Sequence, residues 1–174
     1  MEFTFETNYN QKSLTAMARV LRKTIRKKRS KRSHIFGWII VVLSTLLTLA
    51  SWKDGIVFSG NTIVTILAIL MILIVLFWED AINGYVARKR MLPGTEKGTT
   101  VFDEEGYHST SEVGESKWHY DKINIVAETA EYFVFVFSIS HAQVFDKSSI
   151  TGGTVEEFGR FIAEMTGKEV QRVK

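Results

Sequence analysis

The stretch "RKTIRKKRSKRSHIFGWIIVVL", residues 22–43, sets a dense run of positive charge directly against a run of hydrocarbon. The solvent that each half faces decides the fold. No charged residue occurs between positions 35 and 50, and none between 56 and 78. The second run, "IVFSGNTIVTILAILMILIVLFW", is long enough to cross a bilayer core about 30 Å thick at about 1.5 Å per residue. The first run, taken as far as Trp52, reaches the lower end of the roughly 17–25 residues that a crossing needs. A small domain cannot surround a helix that is apolar on every face, so a buried core helix does not account for the second run. These features predict two transmembrane helices, at 35–52 and 57–78. A cleavable signal peptide does not fit the first, because a long polar segment precedes it and "ASWKDG" follows it. The short connection "WKDGIVFSGN" makes the pair an antiparallel hairpin with both chain ends on one side.

Charge sets the orientation. Arg19, Arg22, Lys23, Arg26, Lys27, Lys28, Arg29, Lys31 and Arg32 precede the first span, and Arg88, Lys89 and Arg90 follow the second. The loop between offers Lys53, offset by Asp54. The excess of positive charge at the two outer ends predicts a multi-pass protein of the cell (plasma) membrane with both termini in the cytoplasm. The basic run then meets the anionic cytoplasmic leaflet of the bilayer, where each Lys or Arg contributes about 1 kcal/mol. Nucleic acid is not the expected partner, since that would call for a solvated basic face carrying base-reading residues. Residues 1–90 carry a net charge of +9 and residues 91–174 one of −6. The anchored half is basic and the hanging half acidic, so lipid headgroups are not the obvious ligand of the second half. Cysteine is absent, which excludes disulfides, thiolate catalysis and cysteine-based metal sites.

Along the chain, "MEFTFET" alternates Phe3 and Phe5 with polar residues and reads as a short half-buried strand. Leu14, Met17, Ala18, Leu21 and Ile25 fall at helical spacing, giving an amphipathic helix with a cationic back. It lies on the membrane surface or runs on into the first span. The helix of the second span continues beyond the membrane until Pro93-Gly94 stops it. Thereafter "GTTVFD", "YHSTS", "KWHY", "KINIVAET", "EYFVFVFSIS" and "HAQVFDK" read as strands, with Phe133, Phe135 and Phe137 on one face. Val155, Phe158, Phe161, Ile162 and Met165 mark a C-terminal helix, opened by a Thr154/Glu157 capping box and stopped by Gly167. The expected fold is an α+β membrane protein. A transmembrane hairpin (34–90) follows an N-terminal strand and basic helix (1–33). It carries a β-rich domain (94–174) with the outline of a pleckstrin-homology (PH)-like fold closed by its C-terminal helix. Phe3 and Phe5 have no other apolar surface in view, so the first strand either stands apart or joins that domain.

The motif "F-D-E-E-G-Y", leading through Trp118 to "I.I..E....F.F", "D-K-S-S-I" and "EEF..FI", resembles the YcxB-like family of small bacterial membrane proteins. Gly106, Trp118, Glu128, Phe133, Lys147 and Phe158 fall where that family's pattern has such residues. The family's "I-P-K-R-x-F"-like segment is here "VFDKSSI", with Asp146 for Pro, Ser148 for Arg and Ile150 for Phe, so no ligand role is carried over to it. The resemblance implies a PH-like cytoplasmic domain on a two-helix anchor and no particular chemistry.

No constellation argues for catalysis, a metal or a cofactor. His108, His119 and His141 lack HxH or HxxxH spacing. Ser138, Ser140, His141 and Asp146 have no nucleophile elbow. "TGG" at 151–153 is too short for a phosphate loop and reads as a turn. Glu79 and Asp80 are expected at the cytoplasmic interface, and Ser44, Thr45 and Thr48 in packing between the two spans. Trp118 and Lys147 are the candidate partner contacts. The plainer reading makes Trp118 a core plug and Lys147 a solvated turn lysine. The expected function is a membrane-anchored, non-catalytic binding or scaffold protein whose cytoplasmic domain recognises a protein partner. The alternative is an immunity (self-protection) protein against a membrane-active bacteriocin or secreted toxin.

Overall fold

Strand β1 (Phe3–Asn8) pairs antiparallel with β2 (Lys97–Phe102), in the register Phe3↔Phe102 and Phe5↔Thr100. Three helices are therefore inserted between two neighbouring strands: α1 (Gln11–Lys23), α2 (Lys27–Ala50) and α3 (Gly60–Lys89). The computed structural model describes residues 2–50 and 59–174. Trp52, Lys53, Asp54 and most of the connection between the two spans lie outside the described residues. α2 and α3 are each long and apolar enough to cross a membrane. The division at residue 94 is corrected by β1. Its alternating Phe3 and Phe5 are completely buried in the β-rich part, because their side of the strand faces the core between two sheets.

The first sheet has the order β1-β2-β3-β4, with β3 at Tyr107–Ser111 and β4 at Gly114–Trp118. The second has the order β7-β6-β5-β8, with β5 at Ile125–Glu128, β6 at Tyr132–Val136, β7 at Ala142–Asp146 and β8 at Val170–Arg172. β8 runs parallel to β5 and was not expected, since three residues carry no period. The strand read at "KWHY" starts earlier, at Gly114, and ends at Trp118. Beyond it the Tyr120 hydroxyl lies 2.6 Å from the Asp103 carbonyl oxygen and 2.8 Å from that of Gly106, which turns the chain inward into a 3-10 turn.

β6 is buried along its whole length. Phe133 and Phe135 face the core between the sheets, where Phe158 from α4 (Val155–Thr166) packs 5.0 Å from the Phe133 ring and 4.7 Å from Phe5. Tyr132, Val134 and Val136 face the other way, onto Val20 and Leu21 of α1. The apolar face of α1 is thus covered by the second sheet, and a turn at Thr24–Arg26 parts α1 from α2. α4 has the expected cap: Thr154 and Glu157 bond reciprocally, and Gly167 closes the helix with a left-handed φ of 63°.

The "TGG" turn also joins the sheets. The Thr4 and Thr151 main chains exchange hydrogen bonds of 3.0 and 2.9 Å. A Cβ on Gly152, whose φ is 86°, would stand 2.1 Å from the Glu2 carbonyl oxygen.

Candidate functional site

The hairpin meets the β-rich part through α1, which is held between the second sheet and the end of α3. A Cβ on Gly84 of α3 would lie 2.7–2.9 Å from Thr15, including its backbone, so only glycine lets the two helices approach this closely. The Gln11 side-chain amide donates to the Ala81 carbonyl at 2.9 Å. Below it, α3 breaks its helical geometry at Trp78, just before Glu79 and Asp80. Arg22 forms a two-pronged ion pair with Asp80 at 2.6 and 2.7 Å, and Arg19 approaches the same carboxylate at 3.6 Å. The bond to Asp80 holds the Arg22 guanidinium above its ordinary pKa. Glu79 accepts from Ser30 at 3.2 Å and lies 2.7 Å from His34 Nε2, joining α3 to α2. The two helices also touch at Gly37 and Leu76 and at Trp38 and Phe77. Thr45 and Thr48 donate one turn back along α2, to Val41 and Ser44.

The basic residues singled out in the sequence gather at this end of the hairpin. Arg26 donates to the Ile139 carbonyl at 2.7 Å, tying the α1–α2 turn to the loop before β7. Lys27, Lys28, Arg29, Lys31 and Arg32 are exposed on the first turns of α2. Arg88 and Lys89 close α3, Arg90 caps it, and the Lys89 ammonium sits 5.1 Å over the Tyr85 ring.

A groove of about 570 Å³ opens where α1, the end of α3 and the first sheet meet. Leu14, Met17, Met91 and Ala142 supply its apolar wall, and Tyr9, Thr110 and Ser116 its hydroxyls. Thr100 and Ser109 share a 2.7 Å hydroxyl contact at its lining, and the Tyr107 hydroxyl donates to Gln143 at 2.6 Å. Burial pushes the Tyr9 phenol up to about 12 and the Tyr107 phenol higher still, so both stay protonated donors at neutral pH. β4 borders the groove and, among the described residues, pairs on one side only, with β3. A cavity of this size, with apolar walls and a few fixed polar groups, has the build of a ligand-binding cleft. The sequence offered no signal for it, because its walls come from elements scattered along the chain.

The two candidate contacts are both engaged within the protein. Trp118 is half-buried, 4.9 Å from the Phe137 ring, and donates to Ser116 at 3.0 Å. Lys147 is not a solvated turn lysine. Its side chain is 12% exposed and donates to Glu128 and to the Thr129 carbonyl, both at 2.6 Å, and its ammonium lies 5.0 Å over the Phe133 ring. The motif residues thus touch one another: Glu128 holds Lys147, Lys147 covers Phe133, and Phe133 packs on Phe158. Gly106 belongs to the same framework, since a Cβ there would stand 2.4 Å from the Trp118 carbonyl oxygen. Where the family pattern has Pro, Asp146 caps the turn at Lys147–Ser149 by accepting from the Ser148 amide at 2.9 Å.

His108, His119 and His141 are exposed, and no group of acidic or histidine side chains converges as metal ligands among the described residues. Ser138, Ser140 and His141 share the turn before β7, whereas Asp146 ends that strand. Residues 102–162 match the family model described as YcxB-like protein. No curated protein and no solved structure matches the chain.

Proposed function

We propose, from the premise that residues 102–162 are a YcxB-like domain, that this protein is a membrane-anchored, non-catalytic binding protein whose cytoplasmic domain holds a segment of a protein partner in the groove between α1, α3 and the first sheet. The groove carries this reading. A segment lying in it touches the end of the hairpin and the domain at once, and the open edge of β4 offers unpaired peptide groups beside it. We read the domain as PH-like. Four antiparallel strands, then three more, then a closing helix support that, with the hairpin inserted into the first strand connection. Anchoring by two spans is supported by the length and apolar character of α2 and α3 and by the exposure of Phe36, Leu47 and Met71 along them. The basic clusters at one end of the hairpin support cytoplasmic termini. Ser59→Cys should react with an impermeant maleimide on intact cells and Glu105→Cys should not; the reverse pattern would invert the topology.

A photoreactive amino acid at Val113, exposed at the groove's rim, should give a discrete protein adduct in cells. Ser109→Trp, which fills the groove, should abolish it. No adduct, or the same adduct from the distant Glu105, would sink the reading. The self-protection alternative puts recognition on the open hairpin faces, such as Leu47 and Met71. Toxin resistance that survives Ser109→Trp but fails after substitution of those faces would favour it.

A further inference from the structure

We propose that the cleft between the start of α2 and β8 is a binding site for a phosphate-bearing anion at the membrane boundary. The cleft measures about 680 Å³, and its own lining includes no acidic side chain, although Asp80, Glu79 and Glu128 pair with Arg22, His34 and Arg172 of that lining. Two of its basic groups are already engaged, Arg22 by Asp80 and His34 by Glu79, and Lys23 donates to the Lys174 carbonyl. Lys27 and Lys31 remain, with Arg172 held only by a long ion pair. Lys27 and Lys31 are one turn apart on one face of α2 and have no acceptor among the described residues. Arg172 is 89% exposed and reaches Glu128 only at 3.7 Å. Three cations from two elements far apart in sequence therefore face one space. A phosphate answers that arrangement, since it carries up to two charges and several acceptor oxygens that separate cations can share.

Position argues for a lipid source. The uncharged run of α2 begins at Ile35, about 6 Å along the helix axis from Lys31. An anion held at Lys31 and Lys27 would sit just outside the apolar zone, at the depth of a phospholipid headgroup if the hairpin is anchored as proposed above. The site shares no lining residue with the groove, and its binding can be measured in detergent, so it can fail without the partner reading failing.

The test uses the full chain purified in a neutral detergent, with calorimetric titration of dioctanoyl phosphatidate, dioctanoyl phosphatidylcholine and inorganic phosphate. Phosphatidate should bind at one site, at least about tenfold tighter than the zwitterionic lipid, as expected for a few cations each favouring the anion severalfold. Lys27→Gln with Lys31→Gln and Arg172→Gln should lose about tenfold or more in that affinity. Lys27→Arg with Lys31→Arg should keep it. Removing the same charge as Arg88→Gln, Lys89→Gln and Arg90→Gln should change it by less than about twofold. Displacement of phosphatidate by millimolar inorganic phosphate supports a site for the phosphate group itself, and failure to displace supports one that also needs the lipid's chains. Equal affinity for the two lipids, or equal loss in the two triple variants, overturns the proposal.

Discussion

Phenylalanines in two regions of this molecule have opposite surroundings. Phe3, Phe5, Phe102 and Phe158 are completely buried between the sheets, whereas Phe36 and Phe77 on the hairpin are each 65% exposed. α1 stands between the two regions. One side of it lies under the second sheet and the other against α3. A helix with one apolar stripe is satisfied by protein, while helices apolar all round have no protein partner large enough and take lipid as their solvent on the reading above. The insertion of the hairpin between β1 and β2 means that the buried region is built from chain on both sides of the exposed one.

The largest test of that dependence is a fragment of residues 94–174, which lacks β1 and α1. It should be unfolded by circular dichroism and amide dispersion, because the core loses Phe3 and Phe5 and the second sheet loses its cover. A folded fragment would break the comparison. Next, Phe158→Ala should cost about 3–5 kcal/mol in denaturant unfolding of the detergent-solubilised chain, while Phe36→Ala should change it by no more than about 0.5 kcal/mol. Similar values for the two would mean that the hairpin face is also covered by protein. Asp80→Asn should weaken the junction by about 1–3 kcal/mol, since Arg22 then keeps its charge without the partner that holds it. Faster proteolysis at the α1–α2 turn would report this, and an unchanged rate would place the coupling at Gly84 instead.

The smallest loss expected from removing a contact within the β-rich part lies at the cap of α4, far from the hairpin. Thr154→Ala should cost about 1 kcal/mol. The Glu157 carboxyl is held below its ordinary pKa by the Thr154 backbone amide first and the Thr154 hydroxyl second. That contribution is complete above the unfolded glutamate value and is lost as pH falls through the lower folded one. Glu157→Gln should flatten the acid side of the stability profile and leave the neutral side unaltered in slope. A steeper acid limb would overturn the assignment.

Local features were read from the sequence nearly residue by residue. The α4 cap, β3 at Tyr107–Ser111 and the end of α3 before Pro93 depend on neighbours a few positions away, so the chemistry that sets them is visible in a short window. The site was far less legible. Lys147 looked like a turn lysine because Glu128, Thr129 and Phe133 reach it only once β5, β6 and β7 are side by side. The cationic cleft was hidden for the same reason, as Arg172 is brought to Lys27 and Lys31 by a three-residue strand with no pattern of its own.

The sequence by itself determined two helices long and apolar enough to cross a membrane, a β-rich part with a capped C-terminal helix, and a basic end to the hairpin. Composition and short-range periodicity suffice for these, since burial and helix capping act on adjacent residues. Only the tertiary structure decided what covers each apolar face. The run "YFVFVF" signals a strand with its phenylalanines on one face but does not say that α4 covers that side and α1 the other. Nor does it say that β1, on the far side of the hairpin in sequence, is the neighbour of β2. Strand pairing and helix docking are long-range choices, made by matching whole surfaces, and no local window contains both surfaces.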